Sequence, residues 1–168
     1  LRRLLIQTVL PFVFCLVPLL AGALIVVALP PEARTFYIDN LKPLDGLIIG
    51  LGCTLFAVQL ILAWRALHWR GPGFDERPDP WLTHLAQSAE WFPLLGLIGT
   101  VAGILQTFAG IHGPTPPEKI IALYAPAITA TGSGLLMALA NILPAWVVLL
   151  GRQLIQALGG GAPAQEKH

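Results

Sequence analysis

Thr100, Thr129, Thr131, Ser133 and Asn141 stand inside long apolar stretches of this chain. A hydroxyl both donates and accepts a hydrogen bond. Buried in a dry setting, such groups can order and hand on protons or help coordinate a small cation. They cannot carry charge themselves. The runs that hold them, residues 91–112 and 120–150, contain no Asp, Glu, Lys or Arg. Any carboxylate that this chemistry needs has to come from outside both runs.

Each residue also has a plainer reading. A threonine in a membrane helix commonly bonds back to the carbonyl four residues earlier. Asn141 is the one amide deep in the second run, and an interhelical hydrogen bond accounts for it. His112, at the end of the first run, is an interfacial histidine or a member of a proton relay. No Ser-His-Asp set, HExxH, paired carboxylates or cysteine cluster occurs, so neither an enzyme nor a metal site is expected. Cys15 and Cys53 sit in separate apolar runs and read as small buried hydrophobes. The glycines at 96–103 lack the Lys-Ser/Thr ending of a phosphate loop.

The elements that must position these groups are membrane helices. Of the 168 residues, 55% are hydrophobic and 11% charged, against about 25% charged in a soluble domain. A net charge of +1 leaves no basic footprint for nucleic acid, and the partner expected by composition is the lipid bilayer. Residues 4–29, 46–64, 91–112 and 120–150 are four candidate spans. The first is too long for a signal-peptide core of about 7–15 residues and reads as a retained anchor. The last would be about 46 Å long, so it should tilt, kink or project. With the N-terminus in the cytoplasm, Arg2, Arg3, Arg65, Arg70, Arg77, Arg152 and Lys167 lie inside, and Arg34, Lys42 and Lys119 outside. The positive-inside rule favours that arrangement, with both termini cytoplasmic. Trp64, Trp69 and Trp91 then fall near the inner interface.

The chain divides into residues 1–68, two N-terminal spans with a short periplasmic loop, and 69–90, a short cytoplasmic segment. Residues 91–152 form a helix pair, and 153–168 a cytoplasmic tail read as disordered from residue 159. The breakers Gly71-Pro72-Gly73 and Pro78-Asp79-Pro80 interrupt the second segment. Asp79 reads as an N-cap, starting a helix that carries Trp81, Leu82 and Leu85 and can run on into the third span. Pro93 would adjust that helix.

On helical spacing, Gly96, Thr100, Gly103, Thr107 and Gly110 form one stripe, and Gly99 pairs with Gly103. The fourth span answers with Ala127, Thr131, Gly134, Ala138, Asn141 and Ala145, and its other flank carries Thr129, Ser133, Leu136 and Ala140. Small residues let helices approach closely in lipid, where apolar burial drives little association. An ordinary tight seam explains the glycines; the hydroxyls leave room for a polar path.

The segment from Pro93 through Gly96, Gly99, Thr100, Val101 and Gly103 to Phe108 resembles the P-x-x-G-L-x-G-T-V-x-G-[MI]-x-x-[SA]-F motif of the MotA/TolQ/ExbB proton channel family. Ala130, Thr131, Gly134, Leu135 and Ala138 resemble that family's A-T-x-x-G-L-x-x-A helix. The resemblance covers residues 90–152 and is closest to ExbB and TolQ. It implies an all-α, multi-pass protein of the bacterial inner membrane whose last two helices line the lumen of an oligomeric ring, of five copies in that family. It implies a single-span partner of the ExbD, TolR or MotB kind carrying a membrane Asp, and work passed to the periplasm at the expense of the ion-motive force. No cofactor is implied. The coupling ion is the proton, with sodium as the alternative because hydroxyls and freed carbonyls also coordinate it.

Carried over by motif, Thr100 and Thr131 line the ion pathway, and Thr129, Ser133 and Asn141 are weaker candidates. Gly96, Gly99, Gly103, Gly134 and Ala138 are helix-packing positions. Several relatives have a glutamate where this chain has Pro126, and residues 65–90 are too short for the cytoplasmic domain of a flagellar stator. The proton-carrying group is therefore expected on another chain. The alternative function is a non-transporting membrane scaffold that uses the same glycine seams.

Overall fold

The computed structural model describes residues 8–68, 74, 76–111, 113, 114 and 116–159. Arg2, Arg3, Trp69, Arg70, the breaker at 71–73, His112 and the tail from residue 160, Lys167 included, lie outside the described residues. Among the described residues six α-helices follow one another: α1 (Leu10–Ala28), α2 (Pro31–Asp39), α3 (Pro43–Leu67), α4 (Asp79–Ser88), α5 (Trp91–Gly110) and α6 (Pro117–Gly159). Four stretches of the described residues are long and apolar enough to cross a membrane, namely α1, α3, α4 with α5, and α6.

Proline opens several of these helices, since its missing N–H costs nothing in the first turn. Pro31, Pro43 and Pro117 each stand at a helix start. Pro93 is the third residue of α5, again inside the first turn, so it starts that helix rather than kinking it. The 30–42 connection, expected as a simple loop, contains the nine-residue α2.

α6 is the axis of the fold. It packs most extensively on α5, then on α3, α1 and α4. Its 43 residues correspond to about 65 Å, more than the roughly 46 Å expected and well beyond a hydrocarbon core of about 30 Å. The helix continues to Gly159, so residues 153–159 are helical. Leu24, Val27, Ile61, Leu97, Ile98 and Leu105 point outward and stay exposed, as side chains facing lipid should. Cys15 is buried, but Cys53 is exposed, on the lipid-facing side of α3 rather than inside as expected.

The cations sort to the two ends. Arg34, Lys42 and Lys119 lie near the start of α3 and α6; Arg65, Arg77 and Arg152 lie near the opposite end, with α4. There Asp79 departs from its expected role. It is the first residue of α4, its side chain makes no cap bond, and its carboxylate pairs with Arg152 at 2.6 and 2.7 Å. Arg152 also donates to the Ala66 carbonyl at 3.2 Å and lies over the Phe74 ring. One side chain thereby ties α3, α4 and α6 above an apolar cluster that includes Ala63, Leu67, Leu82 and Val148. Arg152→Ala is expected to destabilise the protein by about 1–3 kcal/mol, mainly through the lost charge-assisted bonds. Thermal unfolding in detergent would measure the loss, and amide exchange should rise first in residues 79–88.

Candidate functional site

The α5–α6 seam brings the two motif threonines together. Glycines on both helices let the backbones meet. A Cβ placed on Gly96 would lie 2.9 Å from the Ala130 carbonyl oxygen, and one on Gly103 would lie 2.8 Å from the Ala127 nitrogen. On Gly99 it would meet the Ala130 Cβ at 2.5 Å, and on Gly134 the Phe92 carbonyl oxygen at 2.5 Å. Ala138 packs one turn further along, against Ile48, Ala89 and Phe92. These five positions are where the sequence placed the close packing.

At this approach the hydroxyls of Thr100 and Thr131 hydrogen-bond to each other across the seam. Thr100 Oγ1 also lies 3.0 Å from the Gly96 carbonyl and 3.2 Å from the Ala127 carbonyl. Thr131 Oγ1 shares that Ala127 acceptor at 3.2 Å. Two hydroxyl protons therefore serve one mutual bond and two carbonyls, which leaves the direction of the chain reversible. Both residues are half-buried at the edge of a groove of about 550 Å³, lined also by Ile104, Tyr124, Ala127, Ile128, Gly132 and Leu135. The groove walls are apolar apart from the hydroxyls, so a proton or carboxyl group brought there finds these as its hydrogen-bonding partners. Two turns beyond, the buried Thr107 bridges the same helices through the Leu123 carbonyl at 2.8 Å.

Thr129, Ser133 and Asn141 are placed elsewhere. Positions 129 and 133 each lie about 200° around the helix from 131 at 100° per residue, and they face α3. Thr129 donates to Asp45 Oδ2 at 3.2 Å, and Ser133 to Asp45 Oδ1 at 3.0 Å. Tyr37 of α2 reaches Ser133 at 2.5 Å. Asp45, which immediately precedes the 46–64 run, is fully buried. Asn141 donates to the Gly52 carbonyl at 3.1 Å and accepts from Gln59 Nε2 at 3.0 Å. Gln59 Oε1 has no partner among the described residues.

α6 thus carries two polar seams on different faces. Sequence reasoning missed Asp45, Tyr37 and Gln59, because each lies outside the motif helices. The signal that existed was Asp45 itself, an acid three residues into the second apolar helix. Replacing Asn141 by Leu is expected to cost about 1–2 kcal/mol in the membrane, since Gln59 and the Gly52 carbonyl lose their partner together. Gln59→Leu/Asn141→Leu should recover part of that loss in the same unfolding measurement.

A model of the MotA/TolQ/ExbB proton channel family matches residues 72–156, half of the chain. The match takes in α4 as well as the α5–α6 pair. No curated protein and no solved structure matches the chain.

Proposed function

The chain belongs to the MotA/TolQ/ExbB proton channel family, and on that premise we propose that it is the ring-forming subunit of an ion-motive-force-driven complex in the bacterial inner membrane. The observation that carries this reading is the Thr100–Thr131 hydroxyl pair, bonded across the α5–α6 seam at the edge of a groove.

Copies of the chain, five by family resemblance, surround single-span partner helices. The pair faces an Asp on that partner. A hydroxyl accepts from a protonated carboxyl and donates to an ionised one, so the pair can follow the partner's acid through both states. Each unit charge that crosses contributes about 2.3 kcal/mol per 100 mV, and the resulting motion of the partner is passed to the periplasm. The end that gathers Arg65, Arg77 and Arg152 lies in the cytoplasm under the positive-inside rule, which puts α2 outside and both termini inside.

The test is reconstitution in liposomes with a single-span protein whose helix bears an Asp. Proton entry, read by a trapped pH-sensitive dye, should follow an imposed membrane potential. It should vanish when the partner's Asp is changed to Asn. A stable complex that conducts no protons in the wild-type form would overturn the transport reading and favour a scaffold.

A further inference from the structure

Asp45 is fully buried, and the function proposed above does not use it. Its surroundings are more elaborate than a helix cap requires. The cap uses one oxygen: the Lys42 backbone N–H donates to Asp45 Oδ2 at 2.7 Å, which steadies the first turn of α3. Oδ1 takes no part in that cap. It accepts from Ser133, and Tyr37 stands behind Ser133.

The hydroxyls around the carboxylate are doubly provided for. Ser133 Oγ lies 3.0 Å from Asp45 Oδ1 and 2.8 Å from the Thr129 carbonyl of its own helix. Thr129 Oγ1 lies 3.2 Å from Asp45 Oδ2 and 3.2 Å from the Pro126 carbonyl. Each hydroxyl has one proton and two acceptors in reach. With Asp45 ionised, both protons point at the carboxylate. With Asp45 protonated, its own O–H donates to Ser133 Oγ, and the Ser133 and Thr129 protons turn to the carbonyls. Neither state strands a buried donor, which is the usual cost of changing the charge of a buried group.

We propose that Asp45 is a proton-exchange site of this subunit, a buried carboxyl that Tyr37, Thr129 and Ser133 hold in both its ionised and its protonated form. The proton arrives through Tyr37, which is half-buried and lines a groove of about 670 Å³ between α1, α2 and α6. A hydronium ion gives its proton to the phenol oxygen and becomes water. Tyr37 passes its own proton to Ser133 Oγ, and Ser133 passes its proton to Asp45 Oδ1. One O–H bond breaks at the hydronium, one forms and one breaks at each of the Tyr37 and Ser133 oxygens, and one forms at Asp45 Oδ1, so the net change is hydronium to water and carboxylate to carboxyl.

The side chains that hydrogen-bond to Asp45, and Tyr37 behind them, are neutral, while Arg34 of α2 lines the same groove as Tyr37 and Thr129, and Lys42 stands at the start of α3. α6 offers Thr129 and Ser133, α5 has no titratable residue, and α2 offers Tyr37. Among the described residues no cation forms an ion pair with Asp45. Burial pushes the Tyr37 hydroxyl above its ordinary value of 10.0, against the lowering effect of its bond to Ser133, and the Asp45 charge adds to the rise. The phenol therefore keeps the proton that the relay needs.

The inference rests on the functional reading above only for its consequence. Protonation turns the Thr129 and Ser133 hydroxyl protons from Asp45 of α3 to carbonyls of α6, two residues to either side of Thr131. The chemistry is a property of the chain alone, and so is its test. The full chain, purified without a partner and embedded in lipid, is titrated from about pH 4 to about pH 9 under infrared difference spectroscopy. The carbonyl stretch of a protonated, buried carboxyl should appear on acidification and shift in heavy water. Asp45→Asn should remove it. Ser133→Ala should keep it but move its frequency, because the carboxyl loses its hydroxyl partner. A spectrum in Asp45→Asn identical to that of the wild type, or no such band in the wild type, would overturn the proposal. If Asp45→Asn does not fold, Ser133→Ala decides alone: a missing or unmoved band refutes the site. Loss of flux in the complex, with the band intact, would instead count against the transport reading.

Discussion

Thr100→Val combined with Thr131→Val is expected to lower proton flux through the reconstituted complex by about a hundredfold or more, with assembly unchanged. Valine keeps the shape of threonine and removes only the hydroxyl. A hydrogen bond to a charged group is worth about 1.5–3 kcal/mol, and about 1.4 kcal/mol is a factor of ten in rate. Two such bonds lost from the conducting state give the expected factor. The structural loss is smaller, two neutral hydrogen bonds of about 1 kcal/mol each, because the glycine contacts of the seam stay in place. The single variants should not add, since both hydroxyls bond each other and share the Ala127 carbonyl. Thr100→Ser combined with Thr131→Ser should conduct, as it restores the hydroxyls. Dye-reported flux at a fixed potential is the measurement. An unchanged rate in the double valine variant would end the proposed role of the pair.

The second large effect contrasts two glycines on one helix. Gly134→Ala should separate α5 from α6 and cost about 1–3 kcal/mol or more. Its new Cβ would sit 2.5 Å from the Phe92 carbonyl oxygen and 3.1 Å from the Gly96 Cα. Both obstacles are backbone, which cannot rotate aside. Gly132→Ala, two residues away, meets only a Tyr37 ring carbon at 3.7 Å, an ordinary contact. There the helix gains about 1 kcal/mol from the better helix former, so this variant should be slightly more stable than the wild type. Thermal unfolding in detergent, with oligomer size read by light scattering, separates the two. Equal effects of the two substitutions would show that the seam is not packed backbone to backbone. The opposite signs arise because helix propensity is the same at both sites and only the neighbour differs.

The membrane character, the four spans and the α5–α6 pairing were legible in the sequence because they depend on local quantities. Hydropathy over about 20 residues decides a span, and small residues at helical spacing mark a close seam. The Gly96, Gly99, Gly103 and Gly134 contacts follow that pattern, as does the meeting of Thr100 with Thr131. The length of α6 was less legible. Glu118, Lys119 and Arg152 break an apolar run without breaking a helix.

What only the tertiary structure decided is the company each polar group keeps. Asn141 continues the small-residue stripe by spacing, yet it bonds the carbonyl of Gly52 and the amide of Gln59 on α3. Asp79 reads as a cap, yet its carboxylate goes to an arginine 73 positions away. Thr129 and Ser133 find an acid 84 and 88 positions away. An acid at the end of a hydrophobic run looks the same in sequence whether it faces water or a neighbouring helix. Its burial is set by the packing of α2, α3 and α6 around it, and that packing makes Asp45 a carboxyl held by the hydroxyls of Thr129 and Ser133, with Tyr37 behind Ser133.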